Sequence, residues 1–159
     1  MPKTVPCLWF DTQAEEAAAF YCSVFPHSTI LTVTRYPEGF PGEPGTVMTV
    51  EFDLDGQRYT ALNGGPRFTF SEATSFQIDC ADQAEVDYYW DALTADGGEE
   101  GQCGWLKDRF GLSWQVVPFA LMEKTLADPD PTRAQRAVQA LLQQTKIDIA
   151  EIQRAADAA

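Results

Sequence analysis

The polar residues that could do chemistry fall on a few short strand-like stretches, so strand alternation decides which of them act together. Over 112–117, Gln115 shares a strand face with Ser113 and Val117. A glutamine there either offers donors and acceptors to a polar ligand or ties two strands together. Ser75 and Gln77 share a face of the 74–80 stretch and carry the same two readings, pocket groups or cross-strand and solvent bonding. Asn63 stands before Gly64-Gly-Pro66, either as a pocket amide or as a turn former. Trp9, Trp105 and Trp114 are core or pocket wall, and Trp90 reads as helix-to-sheet packing.

Nucleophilic and acid–base chemistry has few candidates. The cysteines are Cys7, Cys22, Cys80 and Cys103, with no C-x-x-C pair and no zinc spacing. Cys103 lies near Lys107 and Arg109, but a small buried residue is the plainer reading. The only histidine, His27, follows Pro26 at a helix end, where its charge suits the helix C-terminus better than catalysis. Glu85 and Asp87 are two apart on a helix and do not face each other, so they do not form an acid–base pair.

The elements that must position these groups follow from local pattern. Residues 3–10 are apolar and β-prone, which predicts a strand. Thr12-Gln-Ala-Glu15 has the spacing of a capping box, and the helix it opens ends at Pro26. Strands are predicted at 28–36, 46–54 and 57–63, the last two joined by Asp55-Gly56, a strong hairpin signal. Between the first two, Pro37 to Gly45 holds three prolines and three glycines, as a lid or as a long hairpin connection. The order then recurs: a strand at 74–80, a cap at Asp82-Gln-Ala-Glu85, a helix to about Thr94 stopped by Gly97-Gly98, and strands near 99–107 and 112–117 around the turn Asp108–Gly111. Two rounds of strand–helix–strand–strand–strand predict an internal duplication. Beyond them, Asp130-Pro131 starts a helix, and Ile147, Ile149 and Ile152 carry an apolar pattern onward, to pack on a sheet or on a partner subunit.

Composition narrows the classes. The 159 residues carry 24 acidic and 11 basic side chains, a formal net charge of −13, which repels phosphate backbones and anionic membranes and so excludes nucleic-acid and membrane partners. The apolar fraction of 45% supplies a core, and no apolar run approaches the roughly 20 residues of a spanning helix. With no export signal after Met1-Pro2-Lys3-Thr4, the four thiols are expected to be reduced and the protein cytoplasmic.

Leu8-Trp-Phe-Asp11, Ala18-Ala-Phe-Tyr21, Leu62-Asn-Gly-Gly-Pro66, Ser75-Phe-Gln77, Cys103-Gly-Trp105, Asp108-Arg-Phe-Gly-Leu-Ser-Trp-Gln-Val-Val-Pro118 and Lys146-Ile-Asp-Ile-Ala150 together resemble the PhnB-like, 3-demethylubiquinone 3-methyltransferase-like branch of the glyoxalase/bleomycin-resistance/extradiol dioxygenase (vicinal oxygen chelate) superfamily. The resemblance implies an α+β fold: two βαβββ modules forming bowl-shaped mixed sheets, plus C-terminal helices. It implies a single domain over 1–159, with module one at 1–66, module two at 67–118 and a helical tail at 119–159. It also implies a pocket inside the bowl and pairing into a homodimer.

In metal-dependent members of that superfamily, His or Glu ligands stand on four inner strand faces. The resemblance aligns Gln115 with the last Glu, Ser75 with a His, and Asn63 near another ligand; near the first strand's position there is only Thr4 or Pro6. Neutral amides and hydroxyls offset little of the cost of dehydrating a cation, so no tightly bound transition metal and no cofactor are expected. The expected ligand is a small organic molecule held by Asn63, Ser75, Gln77, Trp105 and Gln115. The alternative is an enzyme of this branch, methyltransferase-like or a lyase or isomerase, acting on a small organic substrate. The methyltransferase form is disfavoured because Gly64-Gly-Pro66 is not a Gly-rich turn opening a helix.

Overall fold

The computed structural model describes residues 2–158; the two ends of the expected single domain, residues 1 and 159, lie outside the described residues. Two compact units divide between Phe70 and Ser71, each holding one four-stranded mixed sheet.

In the first unit, β1 (Cys7–Phe10) leads to α1 (Ala14–Val24), β2 (Thr29–Arg35), β3 (Val47–Leu54) and β4 (Gln57–Asn63). The sheet order is β1-β4-β3-β2, with β1 parallel to β4 and the other pairs antiparallel. The second unit repeats this with β5 (Ser75–Asp79), α2 (Gln83–Thr94), β6 (Glu99–Glu100), β7 (Trp105–Lys107) and β8 (Ser113–Val117), in the order β5-β8-β7-β6. Parallel β5–β8 stands where β1–β4 stands in the first unit. The predicted duplication is thus present in the topology. Three further helices follow: α3 (Phe119–Leu126), α4 (Pro131–Leu142) and α5 (Ile149–Asp157).

The first core forms where α1 lays Ala14, Ala17, Ala18, Tyr21 and Val24 on the sheet residues Val50, Phe52 and Ala61. These alternate with outward residues along β3 and β4, as a one-sided sheet requires. Asp55 and Gly56 both take positive φ, 49° and 90°, the turn that matches strand twist in a two-residue hairpin. The stretch 37–45 is the connection between β2 and β3, closed at its base by hydrogen bonds between Tyr36 and Gly45 and between Tyr36 and Thr46.

Three local expectations need correction. The strand expected from residue 3 begins only at Cys7, just after Pro6. The first capping box does not form: Gln13 is the N-cap and makes no side-chain cap bond, and the Ala14 N–H is instead taken by Asn63 Oδ1 at 2.8 Å, from 49 residues away. The second cap does form, with Asp82 accepting from the Glu85 N–H at 2.9 Å, while the Glu85 carboxylate reaches back to the Ala81 N–H, one residue before the N-cap, at 2.8 Å. The strand expected over 99–107 is broken into β6 and β7 by a turn at 101–105, in which Cys103 and Gly104 both have positive φ.

That turn is held by the tail. The N–H groups of Cys103 and Gly104 donate to the carbonyls of Gln144 and Thr145, each at 2.8 Å. Gln83 at the start of α2 grips the same strap from the other side, its Nε2 donating to the Ile147 carbonyl at 2.9 Å and its Oε1 accepting from the Ile149 N–H at 2.9 Å. Ile147 is fully buried between them, and Ile152 nearly so. The C-terminal helices therefore pack as part of the second unit.

Candidate functional site

Each sheet has one face under its helix and one face away from it. In the second unit Phe76, Ile78, Leu106, Trp114 and Val116 share the face that meets α2. By alternation, Ser75, Gln77, Trp105, Lys107, Ser113 and Gln115 stand on the opposite face. Four of the five expected site residues are thus brought together on one surface, in two cross-strand rows. One row runs Gln77–Gln115–Trp105 and the other Ser75–Ser113–Lys107.

The amides on this surface are only partly engaged. Gln115 Nε2 donates to Ser75 Oγ at 2.8 Å, and Gln77 Nε2 approaches Gln115 Oε1 at 3.5 Å, the weak limit of a hydrogen bond. Gln115 keeps a second amide hydrogen and acceptor capacity for a further partner. Trp105 and Gln115 are half-buried, as a wall and an anchor for a ligand would be.

Asn63 belongs to the first unit and has a different position. Its Oδ1 caps α1, its Nδ2 donates to the Val47 carbonyl at 3.1 Å, and its own carbonyl accepts from the Tyr36 hydroxyl. The glycine that follows lies against the Trp9 indole, where a Cβ would come within 2.3 Å of the ring, and Trp9 Nε1 donates to the Gly65 carbonyl at 2.9 Å. The Leu62-Asn-Gly-Gly-Pro66 motif therefore joins α1, β1 and β4. Asn63 also borders a cleft of about 820 Å³ with Tyr36, Arg35 and Glu43.

Ser113 shares the Gln115 face by alternation, and Lys107 stands on it opposite Ser113, a residue that the sequence reading leaves out of the site. Both line a cavity of about 140 Å³ together with Glu72, Glu99 and Trp105. Lys107 forms an ion pair with Glu72, whose carboxyl that hydrogen bond holds below its usual range, while the same contact raises the lysine. Both side chains are well exposed, so screening weakens the pair. Strand alternation in 105–107 was the signal that would have found Lys107.

The donor set does not suit a catalytic metal. Ser75, Gln77 and Gln115 are neutral, and among the described residues no three His, Cys, Asp or Glu side chains gather in a way that could hold a metal ion. Burial raises the pKa of the Cys7 and Cys22 thiols, and burial with nearby carboxylates pushes Cys80 up to about 12, which disfavours the thiolate at these three positions.

Comparison with known proteins bears on the family. The family model described as 3-demethylubiquinone-9 3-methyltransferase matches residues 2–117. The PhnB protein of Bacillus cereus is 33% identical over 74% of this chain and 99% of its own, with a TM-score of 0.67. Two more distant structures share the fold. A Pseudomonas aeruginosa protein is 19% identical over 72% of this chain and 95% of its own, with a TM-score of 0.60. The genomically encoded fosfomycin resistance protein FosX of Listeria monocytogenes is 16% identical over 77% of this chain and 95% of its own, with a TM-score of 0.53. No curated protein matches the chain. With its two βαβββ sheets, the chain belongs to the 3-demethylubiquinone-9 3-methyltransferase family, the PhnB-like branch of the vicinal oxygen chelate superfamily.

Proposed function

We propose that the protein binds a small organic molecule on the helix-free face of its second sheet, without a transition metal. Gln115 anchors the ligand, Ser75 and Gln77 orient the Gln115 amide and add polar contacts, and Trp105 supplies an apolar wall. The observation that carries this reading is the half-buried Gln115 amide, which is tied to Ser75 yet keeps hydrogen-bonding capacity on the strand face turned away from α2. Asn63 supports the fold of its own unit in this reading and leaves the ligand contacts to the second sheet.

A thermal-shift screen of uncharged aromatic amides and alcohols tests it, because a ligand of the native state raises the melting temperature. Hits are expected to lose about tenfold in affinity in Gln115→Leu, as one buried hydrogen bond is removed. Hits that bind Gln115→Leu as well as the parent protein would place the ligand elsewhere. S-adenosylmethionine belongs in the same screen. The chain after Gly64-Gly65-Pro66 runs to β5 without opening a helix, so nothing like a Gly-rich nucleotide turn supports the methyl-transfer reading. A large shift with that compound would reverse this preference.

The reading includes a homodimer and a cytoplasmic location. β2 is an edge strand whose residues Ile30, Leu31 and Val33 are exposed, an apolar edge that a second copy would cover. Light scattering at micromolar concentration is expected to give twice the chain mass; a monomer would remove the dimer. The four free cysteines fit a reducing compartment.

A further inference from the structure

Ser113 is 1% exposed, and among the described residues its Oγ has no hydrogen-bond partner. A buried hydroxyl without a partner is costly, so its position on the site face calls for a use. Its neighbours across the sheet supply one. Ser75 Oγ accepts from Gln115, which leaves its own O–H free to donate, and Lys107 lies in register with Ser113 on the other side. The row across β5, β8 and β7 therefore presents two hydroxyls able to donate and an ammonium. The ammonium of Lys107 is paired with the carboxylate of Glu72.

We propose that Ser75, Ser113 and Lys107 form a carboxylate-binding subsite, with the Glu72 carboxylate as its internal occupant. The proposal rests on the small-molecule reading above and names the ligand class: an organic acid whose carboxylate takes Lys107 from Glu72 and receives the Ser113 hydroxyl. Glu72 is mostly exposed and can turn to water. One carboxylate then replaces another in contact with the Lys107 ammonium. Glu99, in register with Lys107 on β6, remains as a second carboxylate near the ammonium and limits affinity.

The probe is propionate, which reproduces the end of the Glu72 side chain, with propionamide and propylamine as uncharged and cationic counterparts. Binding is read from the backbone amide resonances of 105–107 and 113–115 in full-length protein. In Glu72→Gln, propionate is expected to bind about tenfold more tightly than in the parent protein, because its internal competitor is neutralised. Adding Lys107→Met to that variant should abolish binding, and adding Ser113→Ala should weaken it about tenfold. Ser113→Ala alone should melt no lower than the parent protein, because a partnerless buried hydroxyl contributes no stability; a lower melting temperature would show the hydroxyl already employed and overturn the proposal. Propionate and propionamide binding alike, or propylamine binding in place of propionate, would also overturn it. Propionamide alone perturbing the Trp105 and Gln115 amides would sink the carboxylate assignment while leaving the small-molecule reading standing. No response to any of the three probes in Glu72→Gln would sink the subsite, and the separate Gln115→Leu screen would then decide the broader reading.

Discussion

Replacing Asp108 by alanine is expected to destabilise the second unit by about 3–5 kcal/mol. The reason lies in what one carboxylate does in the turn between β7 and β8. Asp108 is 2% exposed. Its Oδ1 accepts from the N–H groups of Phe110 and Leu112, at 2.8 and 3.1 Å, and its Oδ2 accepts from Trp114 Nε1 at 2.9 Å. Alanine would leave the Leu112 amide and the Trp114 indole buried without these acceptors, and each such group costs about 1–3 kcal/mol. Relief from desolvating a charge offsets part of the loss. Against a typical domain stability of about 5–15 kcal/mol, the remainder is a large share. Urea unfolding followed by tryptophan fluorescence reads the effect, because three of the four tryptophans (Trp90, Trp105 and Trp114) lie in this unit. Asn at 108 keeps one accepting oxygen but turns a donor toward another donor, so an intermediate loss is expected. A loss below about 1 kcal/mol for alanine would show that other acceptors replace the carboxylate.

The Asp108 turn also shows what kind of information a sequence exposes. The stretch from Asp108 to Gln115 was recognisable as a motif, and Gly111 as its turn residue, because turn chemistry is local. The duplicated strand order was legible for the same reason: Asp55-Gly56 and the Asp82 cap each fix a boundary within four residues. The cap of α1 was not legible. Thr12 had the right spacing, but the acceptor that reaches the helix is Asn63, supplied from the far end of β4. Nothing local distinguishes an asparagine that forms a turn from one that caps a distant helix, and both compete with a ligand for the same amide. The broken strand at 101–104 has a similar origin. Its β-prone flanks predict continuity, and the break is stabilised by tail carbonyls some 40 residues later. Tertiary partners overrode local propensity in both places.

The candidate site divides along the same line. Alternation placed Gln115 with Ser113, and Ser75 with Gln77, from the sequence alone. The parallel register that sets Ser75 beside Ser113, and Gln77 beside Gln115, needed the β5–β8 pairing. Lys107 joined the row only once the 99–107 stretch proved to be two strands, since β7 then pairs Trp105 with Gln115 and Lys107 with Ser113. A polar face was therefore readable, while its donors could be sorted only from the register.

That register depends on the tail, and Gly104 is where the dependence can be measured. Its φ is +84°, a region where a side chain costs about 1–2 kcal/mol. A Cβ there would also meet the Val116 carbonyl oxygen at 2.7 Å and Ile147 Cδ1 at 2.9 Å. The first contact is backbone in β8, and the second is a fully buried side chain, so neither can yield cheaply. The backbone of Gly104 is fixed on both sides, with its N–H donating to the Thr145 carbonyl and its carbonyl accepting from the Val116 N–H, each at 2.8 Å. Gly104→Ala must therefore push the 144–147 strap away from the sheet or distort β8, at a cost of about 3 kcal/mol or more. Gly39→Ala is the control, because Gly39 has a similar φ of +90° but open space around its Cβ; it should cost only about 1 kcal/mol. Limited proteolysis separates the two kinds of damage. In Gly104→Ala, cleavage within 127–148 is expected to become faster than in the control, as the strap loses its hydrogen bonds to Cys103 and Gly104. Equal losses of stability in the two variants, with unchanged cleavage, would mean that the tail does not hold the 101–105 turn and that β7 keeps its register without it.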